Sequence, residues 1–565
     1  MPSVAPRGSE GSETVALELI QLERTQQRIH NDMQIINKLP TELLSRIFTI
    51  GEVSDRSTRP RTSWYIGFQE TVTNVCHRWR EVATRCPTLW TYIHITRPSP
   101  YHLISLYLDR AGSGSLLDID IEMRTRFWRV VAIEAHDWGT QLHKVPYLLK
   151  FLISRGATVD RWRSLTVCAK QPELLYAIIG FINAKPARAL QFISCTWKYW
   201  RQDSEVEVDD EELRSLEYPH LFSESFSFSP SMMPKLRTVE FNAIPWDYVF
   251  GRSPDPPILT GLTSLSLTSA HFPCLVHDLQ KLISYNPELE HLSLSISKEA
   301  ATEFYNMHEV DTVPSPEPPR VRLPKLLSLS FDNGGNAAWA MSVFPMIEAP
   351  VLRLFSITGD FTLLRESLNL AEHLTGGEVS FLQDLPTSSL NTEDNRPSYP
   401  LLDELDISRL SMVTDVLLRM LFSLPTITKV HVSNQQIKQL KSAPQVLPNL
   451  EHIYCSLVSY KQLGDLLWGR LNVGAPVGTV HLDHAGLDEV GGLLPEHFGY
   501  REYHYKSTHE LDYDESDLAS NDGLGEDQDT LEDSSDDLML VMMDDSEVPG
   551  SSDEEGSSPS GQELN

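Results

Sequence analysis

The sequence predicts an α/β protein in three parts: a helical N-terminal module, a long region of strand-plus-helix repeats broken by irregular insertions, and a disordered acidic tail. Three observations predict this. Two apolar helical signatures stand close together at Leu39–Phe48 and Val75–Trp90. A frame written P-x-L-x-x-L-x-L recurs from about residue 160. The 565-residue chain carries a net charge of -31, and Leu511–Asn565 alone holds 19 acidic residues and no Lys or Arg.

The charge sets the first limits. Without the tail the chain has 59 acidic residues against 47 basic ones, a mild excess. Neither part has the electropositive footprint that a nucleic-acid partner requires. No run reaches the roughly 18 consecutive apolar residues of a membrane span, so no membrane partner is expected. Cys76, Cys86, Cys168, Cys195, Cys274 and Cys455 are scattered, with no CxxC pair and no zinc spacing. Scattered thiols suit a reducing compartment, and the expected location is cytoplasmic, nuclear or both.

Residues 1–11 read as disordered. A helix over 12–36 follows, with Val15, Leu19, Leu22, Gln26, Ile29, Met33 and Ile36 at alternating steps of four and three. That is the spacing of a coiled-coil seam, and it serves either packing on the chain itself or self-association. Residues 37–92 form the helical module. Pro40 suits a first helical turn, and Leu43, Leu44, Ile47 and Phe48 line one side. Residues 51–70 show no period and read as an inserted loop. A single second helix then aligns Val72, Val75, Cys76, Trp79, Ala83 and Cys86 up to Pro87.

From residue 93 the period changes to two at Ile93 and Ile95, and again at Leu117, Ile119 and Ile121, as strands require. The repeats start at Asp160, Lys185, Pro234, Thr260, Pro287, Pro324, Pro350, Pro400, Pro425 and Pro448. The intervals are 25, 49, 26, 27, 37, 26, 50, 25 and 23 residues. Most fall in the 20–29-residue window of leucine-rich repeats, so 93–510 is expected to be a leucine-rich-repeat-like solenoid. Acidic 202–217, Pro- and Glu-rich 308–320 and Gly/Ser/Thr/Pro-rich 376–400 interrupt it. Residues 511–565 read as disordered.

The two opening signatures resemble the F-box. The motif Leu39-Pro40-x-Glu42-Leu43-Leu44-x-x-Ile47-Phe48 matches its core, Val75-Cys76-x-x-Trp79-Arg80 a second segment, and Pro87 with Leu89-Trp90 the close of F-box-like proteins of fungal type. The resemblance implies a non-catalytic subunit of a Skp–cullin–F-box ubiquitin ligase, with the trailing repeats capturing an unknown protein substrate. It carries Leu39, Pro40, Leu43, Leu44, Ile47, Val75, Cys76 and Trp79 to the interface with the Skp-type adaptor. Packing of the two helices against each other is the alternative role for each. The inserted loop leaves a second reading open, an F-box-like scaffold with no ligase partnership.

No other constellation carries chemistry. His481 and His484 lack further ligands, Cys76 would need a base and an oxyanion site beside it and instead falls on an apolar helical face that reads as packing, and Asp118 and Asp120 alternate with Ile119 as if on a solvent face. No enzyme, cofactor or metal is expected. In the tail, Leu538-Met539-Leu540-Val541-Met542-Met543 before Asp544-Asp545 resembles a SUMO-interaction motif, which implies a SUMO contact.

Overall fold

The computed structural model of the chain describes residues 10–58, 67–99, 101–124, 128, 144–170, 172–183, 185–197, 232–244, 259–269, 276–297, 320–377, 398–456, 458–483 and 499–503. Residues 202–217, 308–319, most of 376–400, Cys274, His484 and the whole of 511–565 with Leu538–Met543 lie outside the described residues.

Four helices open the chain: α1 (Glu10–Met33), α2 (Thr41–Thr58), α3 (Phe68–Val75) and α4 (His77–Thr84). A 3-10 turn at Ile35–Lys38 joins α1 to α2, and another at Pro87–Trp90 follows α4. Then come β1 (Tyr92–Ile95), α5 (His102–Ala111), β2 (Leu117–Met123), α6 (Lys144–Ser154), β3 (Trp162–Ala169), α7 (Pro172–Asn183) and β4 (Phe192–Trp197). Next are β5 (Thr238–Asn242), β6 (Ser264–Ser269), α8 (Val276–Ser284), β7 (His291–Ile296), β8 (Val321–Arg322), β9 (Ser328–Asp332), α9 (Ala337–Val343), β10 (Ile347–Glu348) and β11 (Leu354–Phe361). The described chain continues with α10 (Leu364–Thr375), β12 (Glu404–Asp406), β13 (Leu410–Met412), α11 (Thr414–Phe422), β14 (Lys429–Ser433), α12 (Asn434–Lys441), β15 (His452–Ser456), α13 (Tyr460–Asn472), β16 (Thr479–Asp483) and β17 (Gly499–Tyr503).

The result is a mixed α/β architecture with one large parallel sheet that does not close into a barrel. Its strands follow chain order from β1 to β17, omitting β8 and β10, which form a small pair of their own; β13 pairs with the end of β11. The register explains the L-x-x-L-x-L frame. One buried column runs Ile93, Ile119, Leu165, Ile193, Val239, Leu265, Leu292, Leu329, Phe355, Leu405, Val430, Ile453 and Val480, each opposite the next. The residue two positions on, such as Leu267, Leu294 and Phe331, forms a second column. The Leu three positions earlier, as in Leu262, Leu289 and Leu326, turns into the same core from the loop. Helices of neighbouring units pack side by side, as α10 does on α11 and α12 on α13.

Polar side chains close the loops between units. Asn286 is fully buried; its Nδ2 donates to Leu259 O (3.0 Å) and Leu282 O (2.7 Å), and its Oδ1 accepts from Leu262 N (2.9 Å). Arg470 is also buried, and donates to the carbonyls of Pro444 (3.0 Å), Val446 (2.5 Å) and Leu447 (2.8 Å). Burial lowers its guanidinium to about 10, so it stays charged at neutral pH.

The N-terminal boundaries differ from the sequence reading. The expected loop 51–70 is helical to Thr58, and α3 resumes at Phe68. Gly51, the first residue of the expected loop, sits inside α2, and the Phe68 ring packs on it where a Cβ would clash. The expected single second helix is two helices, broken at Cys76 in extended backbone (φ -157°, ψ 173°). Helix α1 begins at Glu10, earlier than expected, and its regular part ends at Met33. Among the described residues no helix is long and apolar enough to cross a membrane.

Two outcomes follow. Replacing Arg470 with Met strands three loop carbonyls, and urea unfolding should show a loss of about 3 kcal/mol. His373, stacked on Phe344 at 5.5 Å and 3.1 Å from the Tyr399 hydroxyl, is pushed down by burial to about 4 from 6.5. A depressed folded value supplies stability above the unfolded 6.5, which is lost as pH falls towards about 4. Thermal unfolding across that window should therefore fall more steeply for the wild-type chain than for His373→Gln, which does not titrate.

Candidate protein-docking site

Helix α2 has apolar side chains on two arcs. The inner arc is Leu44 and Phe48, both fully buried, with Val72, Val82, Ala83, Leu89 and Trp90 around them in the core. Phe48 packs on Trp79 with ring centroids 5.0 Å apart. The outer arc is Leu43, Ile47 and Ile50, at i, i+4 and i+7, which are 49%, 43% and 60% exposed. Val53 on α2 and Val75 at the end of α3 are exposed as well. A helix that spends one apolar arc on its own core and leaves the other in water has the form of a groove-binding element.

The expected interface residues divide between these roles. Pro40, Leu43, Ile47 and Val75 are exposed. Leu44 is buried and belongs to the chain's own core, because its position 100° round the helix from Leu43 points it inward. Leu39 is partly buried against the core. Trp79 is partly buried too, and its Nε1 donates to Asn37 Oδ1 at 2.7 Å, which fastens the Ile35–Lys38 turn to α4. Cys76 is half-exposed and caps α4, its sulfur accepting from Trp79 N at 3.5 Å. Sequence reasoning missed Ile50 and Val53 by ending the helix at Phe48, although Leu43–Ile47–Ile50 already has helical spacing.

An ionic cluster fixes α2 to the sheet. Glu52, on the inner side of α2, is 1% exposed and receives a two-point contact from Arg56, including Nη2 to Oε2 at 2.7 Å. Arg56 also donates Nη1 to Asp118 Oδ2 on β2 at 2.7 Å and lies over the Tyr92 ring at 4.3 Å. Asp118 further accepts from Arg163 Nε (2.9 Å) and Nη2 (2.5 Å) and from Ser164 Oγ (2.8 Å). Strand alternation placed Asp118 on a solvent face; it is 5% exposed because Arg56 and Arg163 cover that face. Asp120 remains half-exposed and accepts from the Tyr92 hydroxyl at 2.5 Å.

The two carboxylates respond differently. Burial works to raise Asp118, but hydrogen bonds from Arg163 and Arg56 outweigh it and hold the carboxyl below its ordinary 3.8. Its stabilisation is in place above 3.8 and lost as pH falls through the lower folded value. For Glu52, burial dominates the contact with Arg56 and the value rises. Stability linked to its protonated form is lost as pH rises through that folded value.

A second surface lies on the outer face of the sheet. Its middle row is Ser266, Ser293, Ser330 and Ser356, then Asp406, His431, Tyr454 and His481. Tyr454 stacks between His431 (4.3 Å) and His481 (4.1 Å). Glu404 accepts from Lys429 at 3.2 Å and lies 2.9 Å from His431 Nε2, contacts that hold its carboxyl below the ordinary range. The row changes from small hydroxyls to stacked rings, a surface that contacts by hydrogen bonding and flat aromatic area.

No family model matches the chain, and no curated protein matches its sequence. Among solved structures, a Bacteroides fragilis protein is a distant neighbour at 11% identity, covering 61% of this chain and 68% of that one with a TM-score of 0.23. A likeness of that size carries no argument about fold or function.

Truncation separates the two arcs of α2. Leu44→Ala should cost about 3 kcal/mol in chemical unfolding, whereas Leu43→Ala and Ile47→Ala should each stay within about 0.5 kcal/mol. Arg56→Ala leaves Glu52 buried without its cation and should cost about 3 kcal/mol.

Proposed function

We propose that the chain is a non-catalytic substrate receptor of a cullin–RING ubiquitin ligase. Helix α2 docks a Skp-type adaptor through Leu43, Ile47 and Ile50, with Pro40 and Val75 at the edge. The region from β1 onward is a leucine-rich-repeat-like solenoid whose outer strand face holds a protein substrate. The single observation that carries the docking reading is the exposed apolar arc of α2 backed by a fully packed inner arc. The chain-ordered parallel sheet with its repeated buried columns supports the solenoid reading. The residues at Leu39–Phe48 and Val75–Arg80 supply the F-box likeness.

The length of α2 favours one alternative. It reaches Thr58 and extends the exposed apolar surface by Ile50 and Val53 beyond the F-box-like core. That longer face suits a scaffold whose partner is a different protein and which has no ligase partnership.

Co-purification with a Skp-type adaptor separates the two. The ligase reading expects the wild-type chain to retain the adaptor and Leu43→Asp/Ile47→Asp to weaken retention at least tenfold, about 1.4 kcal/mol or more, with an unchanged melting temperature. A wild-type chain that retains no adaptor removes that reading and leaves the scaffold. Full retention by the folded double variant removes α2 as the docking element.

A further inference from the structure

Every residue of helix α1 from Leu19 to His30 is exposed, its apolar seam included. Its seam residues Leu19, Leu22, Ile29 and Met33 are 61%, 57%, 57% and 61% exposed. Its last turns meet the chain through polar side chains: Arg28, Asn31 and Asp32 line a cavity against Cys76, His77, Arg78 and Glu81 around α4. On a heptad wheel Arg28 (c) and Asn31 (f) lie away from the seam, and Asp32 (g) flanks it. Packing on its own chain would bury the apolar stripe, so the exposed seam calls for another helix.

We infer that α1 pairs with α1 of a second copy of this chain as a parallel, in-register two-stranded coiled coil. Leu19, Gln26 and Met33 take a positions, and Leu22 and Ile29 take d positions, in unbroken steps of three and four. Gln26 is the one polar seam residue between Leu19 and Met33. In a parallel in-register pair it meets its own counterpart, where two amides exchange a hydrogen bond and a shifted register would bury one amide against apolar side chains. Thr25 (g) then faces His30 (e) of the second copy. The helix of 24 residues is about 36 Å long, enough for three heptads. Pairing brings two copies of α2 and its exposed arc together, so a partner with two sites is held by both. The inference rests on α1 alone and is independent of the adaptor reading.

Sedimentation of the full-length chain tests it. The wild-type chain should pass from monomer to dimer with rising concentration. Leu22→Glu/Ile29→Glu should be monomeric with unchanged melting, and Gln26→Leu should dimerise at about tenfold lower concentration. Oxidised Gln26→Cys should give a covalent dimer, as a parallel in-register pair requires. A wild-type chain that stays monomeric to its solubility limit, or a Leu22→Glu/Ile29→Glu variant that still dimerises, overturns the inference. A larger oligomer, or a Gln26→Cys variant that does not crosslink while a Leu19→Cys chain crosslinks to a Met33→Cys chain, overturns the proposed pairing.

Discussion

Asp118 is the point at which the helical module and the sheet become one body. It sits on the second strand, accepts from Arg56 of α2, and is held from the other side by Arg163 and Ser164 of β3. With Glu52 the cluster has two carboxylates and two guanidiniums, so it is neutral as a set. A charge buried without such compensation is expensive, and each member makes its neighbours tolerable. The Tyr92 ring under Arg56 and the Tyr92 hydroxyl on Asp120 tie β1 into the same contact. The outward direction of Leu43, Ile47 and Ile50 follows from this: with Arg56 fixed to Asp118 of the sheet and Glu52 buried on the inner side, rotation of α2 about its axis would break the cluster.

Beyond that junction the sheet is repetitive in its physics. Each strand contributes one or two apolar residues to continuous columns, and each connection brings another Leu in from its loop. A single unit cannot bury such a face, but a neighbour on either side can. The exceptions are where polar groups serve as fastenings. Asn286 and Arg470 satisfy loop carbonyls that no strand pairing reaches. Such fixed backbones leave the outer face as the region where side chains vary freely, from the serines of β6–β11 to the His431–Tyr454–His481 stack.

Much of this was legible in the residues. The L-x-x-L-x-L frame survives because each of its three apolar positions is buried in successive units, so substitution there is constrained by packing. The missed features have common physical causes. Alternation says on which side of β2 Asp118 lies, but not that a helix far away in sequence covers that side. The sequence around Gly51, where the expected loop begins, does not show that the Phe68 ring packs on it inside α2. The spacing of Val72, Val75, Cys76 and Trp79 remains helical across the break at Cys76, so periodicity could not reveal it. For Leu44, the motif marks an apolar helix without saying which of its two arcs faces inward.

Hydrogen exchange on the full-length chain, read peptide by peptide, tests the coupling most directly. With Asp118 joining the two parts, amides of α2 and of β2–β3 should open together with the same free energy in the wild-type chain. Asp118→Ala should then release α2 to faster exchange while β14–β16 stay protected. Wild-type α2 amides that already open independently of β2–β3, unaffected by Asp118→Ala, would contradict the account.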